Sequence, residues 1–462
     1  MEKNKENIIG TLPIPRLVIM FGIPSMISMF VNSIYNLVDQ IFIGQKVGYL
    51  GNAATSVTFP FVTISLALSL MISIGTAANV GLNLGRRDQE RADKTLATGF
   101  LMALLSGILV LAVGQILLIP MLKAFGATDK VLPYAIEYAR IYIIGCPLTA
   151  VGIMTSDEIR ADGNPRFAMI TMLAGAVINI IFDWLFVFIF GWGVAGAAAA
   201  TVMGQLLTMV MNLWYFATRL KTLNLKREYL RLDIPIAAGI LALGFSSFLT
   251  QVTMLAQQII LNKLAVHYGG LSKYGPEIPL TVFGIVMKVN ALMVSLVMGM
   301  VVGSQPVFSF NYGAMKYTRV KQLVKTCITI GLTIGIIGTI CFQLFPGQII
   351  SIFGSEDALY NEFAQFALKT MTMLIFILGV QMTAGTYFQS VGKPMRALVI
   401  SMCRSLLFMI PSLVILPIFL GVKGIAYAYP LSDIFAVILC ATLLLLEMRR
   451  LNNEIRNNPA VS

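Results

Sequence analysis

Residues 125–129 read Phe-Gly-Ala-Thr-Asp and residues 353–357 read Phe-Gly-Ser-Glu-Asp, 228 positions further on. An offset of 228 or 229 recurs along the chain. Asn83 and Gly85 return as Asn311 and Gly313, and Arg140 as the cation Lys369. Gly163 and Pro165 return as Gly392 and Pro394; Gly193, Val194 and Gly196 return as Gly421, Val422 and Gly424. Matches in chain order at nearly one offset indicate two repeated halves. In a strongly hydrophobic chain, such halves suggest a transporter whose pathway runs between them.

The 462 residues are 57% hydrophobic and 12% charged, with a mean hydropathy of +0.83. A soluble domain carries about 25% charged residues, so the solvent for this surface is lipid. All five cysteines lie in apolar stretches and read as small packing residues. The opening MEKNKENIIG lacks a signal-peptide pattern, which makes the first apolar stretch a retained membrane helix.

Apolar segments of about 20 residues or more, enough to cross a bilayer, fall near 16–43, 52–82, 95–120, 132–155, 167–190 and 194–217. A second six fall near 235–262, 280–308, 322–345, 359–387, 397–419 and 424–447. The predicted fold is an all-α integral membrane protein of twelve helices. Its parts are an N-lobe (1–217), a basic inter-lobe loop (218–234), a C-lobe (235–447) and a tail (448–462). With both termini in the cytosol, the segments on that side hold 23 of the 33 Lys and Arg, and the opposite loops hold six. This is the positive-inside asymmetry, so the net charge of +12 sets orientation and does not point to nucleic acid. Both halves start from the cytosol, so they are parallel repeats around a central cleft. One chain supplies the whole pathway, and a monomer is expected.

A charge at mid-bilayer costs about 2.5–3.5 kcal/mol or more, so each intramembrane ionisable group needs a reason. By helix rise, Asp39 lies about 6 Å below the outer end of span 1, Asp183 about 10 Å below that of span 5, and Thr201 about 10 Å into span 6. Asn179 shares a helix face with Asp183 at i,i+4. Four oxygen-bearing side chains on three helices therefore sit at similar depth. Two close carboxylates cannot both stay ionised cheaply, so the set suits Na⁺ or a shared proton. Pro24 interrupts span 1 about four turns before Asp39, a kink on the helix that carries the carboxylate. In the second half Lys288 and Asp433 lie about 12 and 14 Å deep, and Arg404 can reach Asp433 as a structural ion pair or a substrate-reading group. The chain has 26 methionines, flexible enough to wall a site for varied apolar ligands. No metal cluster, nucleophile elbow or phosphate loop stands out, which argues against an enzyme or a bound cofactor.

Several stretches carry a resemblance. NSIYNLVDQIFIG (32–44), GRRDQERADKTL (85–96), IRADGNPRFAM (159–169) and NIIFDWLFVFIFGWGVAGAAAAT (179–201) do so in the first half. GSQPVFSFNYGAMKYTRV (303–320) and VGKPMRA (391–397) do so in the second. The chain resembles the multidrug and toxic compound extrusion (MATE) family over nearly its whole length, and its N-lobe pattern resembles the DinF-like branch. The resemblance implies two six-helix lobes and export of amphipathic or cationic compounds against inward H⁺ or Na⁺. It assigns the cation or proton site to the positions of Asp39, Asn179, Asp183 and Thr201, and bending of span 1 to Pro24. Relatives of the NorM type carry acidic residues in spans 7 and 10, where this chain has Gln251, Gln257 and Gln258 in span 7 and no deep carboxylate in span 10. The reading is an antiporter of the bacterial cytoplasmic membrane, with substrate in a cleft near Gln205, Gln257, Met203, Met287 and Met293. The alternative is a flippase for a lipid-linked or anionic headgroup, read by Lys288 and Arg404.

Overall fold

In the computed structural model, residues 8–352 and 358–457 are described. The second copy of the opening motif, at 353–357, lies outside them. The described residues form helices joined by short turns, with no strand among them. Spans 1 to 3 are Ile14–Lys46, Leu50–Gly85 and Gln89–Ile116. Span 4 is a broken helix, Leu132–Ile144 and Cys146–Ala161, bent by 45°. Spans 5 and 6 are Pro165–Ile189 and Gly193–Thr218. Spans 7 to 12 are Ile234–Gly270, Glu277–Gly313, Tyr317–Leu344, Ala358–Ser390, Pro394–Leu420 and Val422–Asn457. Most helices run past their apolar cores. Span 12 continues to Asn457, so the described part of the expected tail is helix.

Local chemistry fixes the starts. Asp88, Asn164 and Asp233 each accept a hydrogen bond from a first-turn backbone N–H, of Arg91, Phe167 and Ile236 respectively, as N-caps do. Span 1 stays helical through Pro24. Spans 5 and 11 each contain a π-helical stretch, Trp184–Ile189 and Cys403–Met409.

The repeat survives as paired detail. Gln115 Nε2 donates to the Arg140 carbonyl at 2.9 Å, and Gln343 Nε2 donates to the Lys369 carbonyl at 2.7 Å. Gly163 and Gly392 both hold positive φ, +89° and +76°, which glycine adopts without a Cβ penalty. Gly85 and Gly313 face each other across the lobe boundary. A Cβ on Gly85 would fall 2.2 Å from the Phe310 carbonyl oxygen, and one on Gly313 would fall 2.3 Å from that of Leu82.

Two crossings join the lobes, span 1 on span 8 and span 2 on span 7. Both are tight because glycine lets backbones approach. A Cβ on Gly303 would lie 2.5 Å from the Phe21 carbonyl oxygen, and one on Gly244 would lie 1.7 Å from that of Met71. All these contacts sit toward the end of the bundle that carries Ile14 and Asn457, here the near end. A core cluster there crosses the boundary, joining Ile14, Leu17 and Phe21 to Met300, Phe308 and Tyr387. At the far end the clusters stay within one lobe: Ile43, Tyr138 and Val194 in the first, Leu261, Phe283 and Tyr429 in the second. The lobes therefore form a V, closed at the near end and open at the far end.

Candidate functional site

Asp39 and Asp183 meet inside the N-lobe, within hydrogen-bond reach of each other across spans 1 and 5. Asp39 is 8% exposed and Asp183 is fully buried. Asn179 Nδ2 donates to Thr201 Oγ1 over 3.3 Å. The four expected residues are thus brought together. Their oxygens are not satisfied: Asp39 Oδ1, both Asp183 oxygens and Asn179 Oδ1 are buried and accept no hydrogen bond. Buried acceptors without partners are costly, and a small oxygen-lined site with that need suits a cation or a shared proton. The phenols of Tyr35 and Tyr138 lie beside the pair. Both were missed in the sequence, where tyrosine in a membrane helix is unremarkable.

The candidate cleft residues lie in different surroundings. Gln205 lies inside the N-lobe against the bend of span 4; a Cβ on Gly145 would fall 2.4 Å from its Oε1. Gln257 lies inside the C-lobe beside Tyr429. Met287 accepts a hydrogen bond from Tyr429 at 3.2 Å, and Met293 packs over Gly338. Both methionines are partly buried and pack against the C-lobe core. Met203 is exposed on a stripe with Val210 and Trp214, on the side of span 6 away from spans 4 and 5. The sequence could not separate these cases, because methionine suits a cleft, a core and a lipid face alike.

In the C-lobe, Arg404 Nε donates to Asp433 Oδ1 at 2.9 Å, and Gln381 donates to the Asp433 backbone carbonyl at 3.1 Å. Asp433 is thereby matched by charge, unlike the N-lobe carboxylates. Lys288 makes no ion pair among the described residues. One surface hollow, about 510 Å³, is lined by Asn262, Lys263, Val266, His267 and Leu280 at the far end of the C-lobe. It is nearly flat and holds none of the carboxylates.

A second polar region sits at the near end. Asp162 accepts from the Tyr215 hydroxyl and from the backbone N–H of Lys221, Thr222 and Leu223. Asp93 accepts from the Asn224 N–H. These carboxylates tie the inter-lobe loop to the N-lobe. Asp157 pairs with Arg160 and Ser73, while Glu158 is fully buried with neither oxygen partnered. The signal available in the sequence was clustering: three acids within 157–162 and three within 88–93 exceed what a solvated loop requires.

A two-lobed bundle of twelve helices, open at one end, with an unsatisfied carboxylate pair inside one lobe, is the architecture of a secondary membrane carrier. The MatE family model matches residues 24–185 and 246–415. The chain belongs to this family of transporters and is not an enzyme. It is 24% identical over 420 residues to the multidrug export protein MepA of Staphylococcus saprophyticus, covering 89% of each chain. It is 25% identical over 442 residues to an FAD transporter of Shewanella oneidensis, covering 93% of this chain and 94% of that one. The solved structure of a MOP superfamily transporter from Pyrococcus furiosus shares the fold with a TM-score of 0.91 at 23% identity, over 98% of this chain and all of that one.

Proposed function

We propose that the protein is a cation-coupled antiporter of the bacterial cytoplasmic membrane that exports amphipathic small molecules, in the manner of the DinF-like branch. The observation that carries this is the N-lobe oxygen set: Asp39, Asp183, Asn179 and Thr201 in one buried place, with four oxygens lacking partners. H⁺ or Na⁺ supplies what those oxygens lack. The near end is the cytoplasmic one, following the Lys and Arg asymmetry, so the far-end opening faces outward. From there the coupling ion enters the N-lobe and substrate leaves the cleft. Ion binding changes the balance between open-out and open-in states because the two states solvate the carboxylates differently. Pro24 on span 1 lets that helix bend as Asp39 changes state, since proline removes one backbone hydrogen bond. MepA is a multidrug export protein and the Shewanella relative an FAD transporter, so the relatives include carriers of chemically unlike cargo.

The test is transport of ethidium into proteoliposomes under a pH gradient and, separately, a Na⁺ gradient. One gradient should drive uptake in the wild type, and Asp39→Asn should lose it. Ethidium movement that ignores both gradients contradicts the reading.

A further inference from the structure

We propose that the cleft reads an acidic group on its substrate through Lys288, so that the exported amphipaths include carboxylates or phosphates and not only organic cations. The inference rests on the transporter reading above and names its substrate class.

Position comes first. The face of span 8 that meets span 1 is marked by Gly299 and Gly303, whose added Cβ atoms would strike Met26 and Phe21. At about 100° per residue, Ser295, Leu292 and Lys288 continue that face toward the far end. Burial falls along it in step: Gly303, Gly299 and Ser295 are buried, Leu292 is half-buried and Lys288 is exposed. Span 1 shows the same gradient, from buried Phe21 and Gly22 to exposed Asn36. The falling burial traces the two walls of the V, and it places Lys288 on the cleft wall, away from the core of its own lobe. The antiparallel register set by Gly22 against Met300 and Met26 against Gly299 brings Lys288 level with Ile34 to Leu37, within about a turn and a half of Asp39.

Charge comes second. Asp39 and Asp183 are buried behind the span 1 wall. Arg404 is matched by Asp433. On span 7, the face marked by Gly244 against Met71 continues through Gln251 and Gln258, which are neutral amides. Lys288 is therefore a cation on an amide-lined wall with no carboxylate in ion-pair contact among the described residues. Such a wall repels an organic cation and attracts an acid. An ammonium at intermediate depth in a membrane protein is expensive unless it serves a pathway, and a substrate carboxylate or phosphate gives it a charge-assisted partner. A substrate acid on the C-lobe wall and a coupling ion in the N-lobe occupy different places. Coupling then runs through the equilibrium between states and needs no direct competition for one site.

The experiment uses the full chain in nanodiscs of neutral phosphatidylcholine with no gradient, so it does not depend on coupling. Binding of ethidium (cation) and flavin mononucleotide (phosphate) is measured for wild type, Lys288→Gln and Lys288→Arg. Flavin mononucleotide should bind wild type about ten- to a hundredfold more tightly than Lys288→Gln, with Lys288→Arg close to wild type. Ethidium should bind Lys288→Gln at least as well as wild type. A second arm adds phosphatidylglycerol: competition with the flavin in wild type but not in Lys288→Gln identifies a lipid headgroup as an occupant of the same site. Equal flavin affinity in wild type and Lys288→Gln, a parallel loss of both probes, or no flavin binding at all overturns the proposal. Gradient-driven ethidium transport can fail while this binding difference stands, and the reverse, so the two readings fall separately.

Discussion

The two lobes share one fold and treat the acids deepest in their spans, Asp39 and Asp183 in one and Asp433 in the other, in opposite ways. In the C-lobe, Asp433 sits against Arg404, and the near-end Glu447 sits between Lys393 and Arg396. In the N-lobe, Asp39 and Asp183 face each other with no cation in ion-pair contact among the described residues. The difference separates structure from function in a duplicated protein. A buried acid with a fixed counter-charge holds helices together and cannot easily change state. A buried acid whose partner is another acid must acquire a mobile cation. The frame occurs twice, and among the described residues only the N-lobe copy holds a deep carboxylate pair without a counter-charge.

Removing one N-lobe carboxylate is the strongest way to break that contrast. Asp39→Asn or Asp183→Asn should lower gradient-driven transport by about 5- to 150-fold, the range of ordinary coupling energies, while size-exclusion profiles and thermal stability in detergent stay near wild type or improve. A large stability loss would recast these acids as structural. The C-lobe should respond the other way. Arg404→Ala leaves Asp433 unmatched and should cost about 2 kcal/mol of stability, below the cost for a fully buried pair because Arg404 is 36% exposed. Its ion dependence should be unchanged, read as the gradient response of whatever protein survives purification. Pro24→Ala gives a smaller effect. Span 1 is already helical there, so folding should be kept while turnover slows a few-fold with substrate affinity unchanged, measured as a KM-against-rate split. Met203→Ala, at an exposed position, should change stability by no more than about 0.5 kcal/mol. Met287→Ala, partly buried against the C-lobe core, should cost more, about 1 kcal/mol, and a thermal-shift comparison of the two separates the exposed position from the packed one.

Spans were legible because membrane-crossing helices announce themselves by length and apolarity. Their ends were not, because polar turns such as 448–457 continue the helix once they pack on neighbours. The repeat was legible in glycines, and the structure supplies the reason: Gly85 and Gly313 each press on the other lobe's backbone, where any side chain would collide. Asp39, Asn179, Asp183 and Thr201 could be grouped by depth alone, since helix rise is regular and charge in lipid is rare. The direction in which Gln257, Met203, Met287 and Met293 point could not be grouped that way, because these residues fit polar or apolar surroundings on any side of a helix. The near-end acids escaped for a different reason. Charges at span ends look solvated, yet Asp93 and Asp162 are buried under the inter-lobe loop they hold.

The most direct test of the N-lobe as coupling site counts ions released when substrate binds in detergent, with a pH-sensitive dye for H⁺ and radioactive sodium for Na⁺. Wild type should release one of the two ions on adding substrate, Asp39→Asn should release neither, and Asp433→Asn should behave as wild type. Release that persists in Asp39→Asn and disappears in Asp433→Asn would move the coupling site to the C-lobe and contradict the account.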